Sequence, residues 1–134
     1  MNGQSTRAPG SMLPVLSWYV PGKVLRLYIP GDYSLEDSRF VNALILRELD
    51  QSQDDLMLLI DAMEMNRPYN FDQIRATQTY QNHPKLKTIY TATADRVVKL
   101  GMLIIFNISR AQLHLADNID EADRMLNARL NSPG

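Results

Sequence analysis

The chain is 134 residues long, 45% hydrophobic and 22% charged, with a formal net charge of −1. That length fits one domain of about 100–200 residues, able to bury a core without a disulfide or metal staple. The absence of cysteine excludes a disulfide framework, thiolate metal sites and a cysteine nucleophile, and the near-neutral balance argues against a nucleic-acid binder.

Residues 1–14 are polar and bear Gly and Pro, with Arg7 as their only charge. They read as a flexible leader before a single domain over 15–131, with 132–134 as a tail. Pro14, Ser17, Pro21 and Gly22 interrupt every apolar run that a secretory signal would need. No stretch of about 18 apolar residues exists to span a bilayer, so the expected location is the cytoplasm, without stable membrane insertion.

Leu16 to Val20 is aromatic-rich and predicts a short strand. Pro21-Gly22 supplies a turn, and Val24 to Ile29 a second strand, so the pair reads as a β-hairpin. Ser34 with Asp37 three residues later marks a helix start. Phe40, Val41, Leu44, Ile45 and Leu49 then recur at helical spacing as the expected inward stripe. Leu56 to Ile60 is apolar on both faces and too short for a helix, which suits a central parallel strand ending at Asp61. A weaker helical pattern runs from Asn70 to Gln81 and stops at His83-Pro84. Leu86 to Thr91 predicts the next strand. Asp95 is placed to cap a helix whose core stripe is Val97, Val98, Met102, Ile105 and, at its end, Ile108. Gln112 to Leu115 forms a last strand, and Asp120 is the expected cap of a final helix carrying Ala122, Met125, Leu126 and Leu130 inward.

The order β-β-α-β-α-β-α-β-α predicts an α/β domain: a mixed, mostly parallel sheet of about five strands with flanking helices. This order resembles the STAS domain of bacterial anti-sigma-factor antagonists and its SpoIIAA-like group. Two segments carry the likeness: Leu58-Leu59-Ile60-Asp61 as the central strand, and Asn118-Ile119-Asp120-Glu121-Ala122 ahead of Met125-Leu126. The resemblance covers residues 16–130 and implies a regulatory or protein-interaction role. It departs from the family at one place. Antagonists that act as phosphorylation switches carry Asp-Ser just after the central strand, whereas here no Ser or Thr occurs between Ser52 and Thr77. The fold is expected without the phosphoserine switch.

In open α/β sheets, ligands sit beyond the carboxyl ends of parallel strands. Asp61, Arg67, Tyr69, Thr91, Thr93 and Arg96 fall there and form the expected ligand or partner site. The helix start at Asp95 could receive a phosphate or carboxylate on its free N–H groups. Asp61 with Glu64 could make an acid–base pair, yet neither a nucleophile nor a metal set accompanies it. His83 and His114 lack metal-ligand spacing, Asp117, Asp120, Glu121 and Asp123 lack calcium-loop spacing, and no phosphate-loop or dinucleotide motif occurs. The expectation is therefore a protein with no enzymatic activity, no cofactor and no metal. Residues 72–110 carry six Lys or Arg against two Asp, a basic middle followed by an acidic C-terminal stretch. Within it, Leu100, Leu103, Ile104 and Phe106 are expected on the helix side opposite the core stripe. A helix apolar nearly all round must be covered by something. The first expectation is a homodimer or protein-partner interface. The alternative is a small-molecule or lipid-binding domain whose apolar pocket lies beside helix 95–108.

Overall fold

The structure is a computed structural model, and it describes residues 13–132. The expected leader lies outside the described residues as far as residue 12, and Pro14, its last member, is buried. Five strands form one sheet in sequence order: β1 (Val15–Val20), β2 (Val24–Tyr28), β3 (Leu56–Asp61), β4 (Leu86–Ala92) and β5 (Gln112–Ala116). β1 pairs antiparallel with β2 through the Pro21-Gly22 turn, where Gly22 has φ of 74°, a conformation that favours glycine. β2, β3, β4 and β5 are parallel neighbours.

Three crossover helices join those parallel strands: α1 (Leu35–Gln51), α2 (Phe71–Thr77) and α3 (Arg96–Phe106). Right-handed crossovers that step the same way across a sheet place their helices on one face. That face holds the main core, where Leu25, Leu27, Leu58, Ile60 and Ile89 meet Val41, Ile45, Leu49, Ile74, Val98 and Met102. The opposite face packs Val24, Leu59, Tyr90, Ala92 and Ala116 on Ala122 and Leu126 of α4 (Ile119–Leu130). The α/β class, the element order and the antiparallel edge all agree with the sequence pattern.

Local differences have local causes. Ser34 caps α1 as expected: its hydroxyl accepts the Asp37 N–H at 2.9 Å, and the Asp37 carboxylate accepts the Ser34 N–H at 3.1 Å. Phe40, however, is exposed and Leu44 only half-buried, because α1 turns a narrow stripe of Val41, Ile45 and Leu49 to the sheet. The helix expected over Asn70 to Gln81 breaks at Gln78 into α2 and a 3₁₀ turn (Thr79–Asn82). Side chains compete with the helical ladder there. Asn42 accepts the Tyr80 N–H at 2.9 Å, and the Gln81 amide donates to the Arg75 and Gln78 carbonyls. The break lets Tyr80 bury completely. Asn118, not Asp120, caps α4, accepting the Glu121 N–H at 2.8 Å. Starting two residues earlier brings Ile119 onto the second core.

Candidate functional site

The parallel strands direct their carboxyl ends to one edge, where loops 62–70 and 93–95 lie. The strand order never reverses from β2 to β5, so no crevice opens between helices on opposite faces at a switch point. The rim is built from its loops instead. Arg67 reaches across it and donates through Nε to Asp95 Oδ2 at 2.7 Å. The other Asp95 oxygen accepts the N–H groups of Val97 and Val98 at 2.8 and 3.1 Å, capping α3. The hydrogen bond from Arg67 is the largest influence holding the Asp95 carboxyl below its ordinary value, and the two backbone bonds act the same way against partial desolvation. The helix start that could have received an exogenous anion is thus filled by the chain's own carboxylate.

The six expected rim residues do not form one site. Asp61 is 5% exposed and lies on the α4 face of the sheet by strand alternation, ion-paired to Arg26 at 2.7 Å. Glu64 instead accepts the Tyr28 hydroxyl at 2.7 Å, so the two carboxylates answer to different partners. Thr91 is fully buried with its hydroxyl unpartnered among the described residues. Thr93 is buried too, its hydroxyl accepting the Asp95 N–H at 3.2 Å. Only Arg67, Tyr69 and Arg96 reach the surface, and Tyr69 does so most fully, at 95% exposure.

The apolar surface of α3 lies next to them. Leu100 is 58% and Leu103 48% exposed, Val97 is also exposed, and Ile104 is half-buried. Three expectations on this helix are corrected, the first being Ile108, which lies past its end and is exposed. Phe106 is 4% exposed and belongs to the core, its ring 6.3 Å from that of Tyr80. It follows Met102 by four residues, and that spacing returns a side chain to the same helix face. Val97, assigned inward, turns outward because Val98 takes the core position one residue on. Val98, Met102, Ile105 and Phe106 pack together against the sheet side, and no pocket among those described opens there.

An open groove of about 440 Å³ runs on the outer side, between α2 and α3, lined by Tyr69, Asn70, Phe71, Asp72, Gln73 and Ile104. Phe71 of its lining packs against α3 at Gly101. A Cβ at that position would stand 1.9 Å from Cε1 of Phe71. Sequence reasoning missed this groove. The signal was Gly101 itself, since a glycine inside an apolar helix costs about 1 kcal/mol and usually marks a close neighbour.

His83, His114, Asp117 and Asp123 have structural partners. His83 bonds Asp50 at 2.9 Å and accepts the Lys85 N–H, while His114 stacks on Tyr90 with centroids 5.0 Å apart. Asp117 pairs with Lys99, and Asp123 accepts the Tyr19 hydroxyl. Burial, with that bond to Asp123, pushes the Tyr19 phenol up to about 12. Among the described residues no group of three His, Asp or Glu could hold a metal ion, and no helix is long and apolar enough to cross a membrane.

Comparison with known proteins finds no matching family model and no significantly similar curated protein or solved structure.

Proposed function

We propose that the chain is a non-enzymatic, cytoplasmic STAS-like interaction module that works as a homodimer through α3. The observation that carries this reading is the outward face of α3. Val97, Leu100, Leu103 and Ile104 form an apolar strip, edged by Arg96 and continued by Tyr69. Tyrosine and arginine are enriched at interfaces, and contiguous exposed aliphatic side chains mark a contact surface.

A second copy suits this face because the face is self-complementary. In a two-fold contact, residue i of one protomer meets j of the other, and j meets i. With α3 antiparallel to itself and the axis beside Leu100, Val97 lies opposite Leu103 and Arg96 opposite Ile104. Ile104 shares its groove wall with Asp72, whose side chain is 82% exposed and only 3.5 Å from Arg75. Arg96 therefore arrives beside Asp72 of the partner subunit, and the reverse pair forms by symmetry. An exposed local pair such as Asp72–Arg75 is worth little, so it yields readily to a pair shielded within an interface. The resemblance to STAS antagonists gives the dimer a regulatory setting. The lack of Ser or Thr from 53 to 76 removes serine phosphorylation of that loop as its control.

Sedimentation equilibrium on the wild type and on a charge-exchange set tests the reading. The wild type is expected as a dimer. Arg96→Asp and Asp72→Arg should each weaken association by about tenfold, as the loss of a charge pair would, and the double variant should recover it. A wild type that stays monomeric over the accessible concentration range contradicts the proposal, as does a double variant no tighter than either single one.

A further inference from the structure

β1 is an outer strand of the sheet, paired only with β2 among the described residues. From Val15 to Trp18 that pairing is regular, and it shifts between Trp18 and Val20, where Tyr19 is an extra residue. Alternate residues of an antiparallel strand turn their N–H and C=O groups away from the partner. Half of the run Val15 to Trp18 therefore presents unpaired backbone groups at the outer side.

Such edges are ordinarily blunted by charge, yet no Asp, Glu, Lys or Arg stands between Leu13 and Val20. Among the described residues, the exposed large apolar side chains other than Met63 gather in two places: the α3 surface with its flanking loops, and this edge. Here they are Leu13, Val15 and Trp18, joined by Phe40 of α1. Ser38 and Asn42 of α1 bond Thr77 and Thr79 beside α2. By helical phase Phe40, Leu44 and Glu48 turn to the other flank, toward β1. β5, the other outer strand, has no such surface. Leu113 and Leu115 are half-buried against the main core, and His114 stacks on Tyr90.

The two faces of β1 differ in chemistry. Leu16 and Trp18 pair with Leu27 and Leu25 of the main core, so they share its face with Phe40 and Leu44. The other face carries Val15 and Ser17, and the bulge adds Tyr19 and Val20, both packed on the second core. There the flank of α4 turned to β1 is acidic. Asp123 accepts the Tyr19 hydroxyl, and exposed Asp120 adds to the field that raises that phenol. Arg129 acts on the other flank of α4, by Tyr90. Arg26, the cation acting on Tyr19, is held by Asp61.

We propose that the β1 edge receives an extended segment of a protein partner in which apolar residues alternate with lysine or arginine. The segment adds a strand to the sheet and bonds the free backbone groups of Val15 to Trp18. Side chains of a strand alternate between faces. Its apolar ones cover Leu16 and Trp18 beside Phe40, and its cations reach Asp120 and Asp123. Pro14, which lacks an N–H, and the bulge at Tyr19 close the run at its two ends, so the site selects a short segment. Every open sheet has outer strands, and that alone names no partner. Apolar cover on one face and carboxylates on the other specify this one.

Trp18 is the chain's one tryptophan, so its fluorescence reports on the edge directly. The probe is an acetylated and amidated hexapeptide of alternating valine and lysine. Its comparators carry glutamate in place of lysine, or N-methyl groups on alternate amides of the lysine peptide. Titration of the full chain with the probe should give a saturable blue shift and slow the exchange of the outward amides within Val15 to Trp18. Both comparators should bind about tenfold more weakly or worse. Asp120→Lys, at an exposed position, should weaken the lysine peptide by about tenfold, and unchanged amide shifts away from α4 show that it remains folded. Equal affinity for the three peptides, or shifts that do not saturate, would overturn the proposal. Outward amides already protected in the free chain, or a blue shift that follows protein concentration alone, would show the edge occupied by the chain itself or a second copy, and would overturn it too. α3 lies toward β5 at the far end of the sheet, so the monomeric variant Arg96→Asp should bind the probe as the wild type does. Loss of binding in that variant would place the peptide on α3 and contradict the assignment to β1.

Discussion

α1 and α3 lie in the same layer, on the same face of the same sheet, and do the same work inward. Val41, Ile45 and Leu49 of the first and Val98, Met102 and Ile105 of the second enter one core. Outward they differ. The exposed side of α1 carries Glu36, Arg39, Arg47 and Asp50, with Phe40 as its lone large apolar residue, whereas that of α3 carries Val97, Leu100 and Leu103. Single exposed apolar residues are ordinary on protein surfaces, but contiguous ones mark a contact. The contrast teaches that the surplus of apolar residues on α3 is not demanded by the fold, since α1 anchors the same core without it.

Substitutions on the two helices can break or sharpen that contrast. The largest effects are expected where the helices are alike. Ile45→Ala and Met102→Ala each delete a buried side chain and should cost about 2–5 kcal/mol of stability by chemical denaturation. Similar losses on both helices support equal inward roles, and a small loss at Met102 would break the comparison.

Gly101→Ala comes next. An alanine gains about 1 kcal/mol of helix propensity over glycine, but its Cβ collides with Phe71, and overpacking costs about 1–3 kcal/mol. The net expectation is destabilisation, with chemical-shift changes concentrated on α2. A stabilised variant would show that the α2–α3 contact yields easily and that the groove has no fixed shape.

Capping effects are smaller. Ser34→Ala should cost about 1 kcal/mol through loss of the α1 cap. Asp95→Asn keeps an acceptor at the α3 cap and removes the charge that Arg67 stabilises. A carboxyl held below its ordinary value contributes stability that is full above that ordinary value and is lost as pH falls through the lowered one. The stability gap between the wild type and Asp95→Asn is therefore expected to be constant near neutrality and to close in acid. A gap independent of pH would deny the ion pair any part.

The smallest stability effects fall on the two outer faces, where the helices part company. Phe40→Ser and Leu100→Ser should each change monomer stability by no more than about 0.5 kcal/mol, as is usual for surface positions. Leu100→Ser should nevertheless weaken association, and Phe40→Ser should leave it intact.

Much of this fold was legible because the signals were redundant. The Ser34 capping box, the two-sided apolar run at β3 and the Pro21-Gly22 turn each agree with periodicity around them. Legibility failed where one residue fixed a phase or a long-range partner intervened. Phe106 and Val97 exchanged sides because the charged residues of α3, Arg96 and Lys99, both lie near its start and leave the phase of the apolar remainder unmarked. Asn118 displaced Asp120 because both are capping residues, and the packing of Ile119 chose between them. The rim residues dispersed for a different reason. Strand alternation sends Asp61 to the α4 face and Thr91 into the main core, and proximity along the carboxyl edge does not record which way a side chain turns. The open cleft at the amino ends of the strands joins residues from positions 21 to 130, a distance in sequence over which no motif extends.

The central claim, that two α3 helices meet about an axis beside Leu100, is tested most directly by self-crosslinking. The chain has no cysteine, so Leu100→Cys introduces a single thiol that can pair only with its copy. A disulfide requires Cα atoms about 4.4–6.8 Å apart, a separation reached at a two-fold axis and at few other places. Mild oxidation of dilute protein should convert Leu100→Cys to a covalent dimer, while Phe40→Cys, also exposed but on α1, stays monomeric. Equal and slow crosslinking of the two variants would contradict the account.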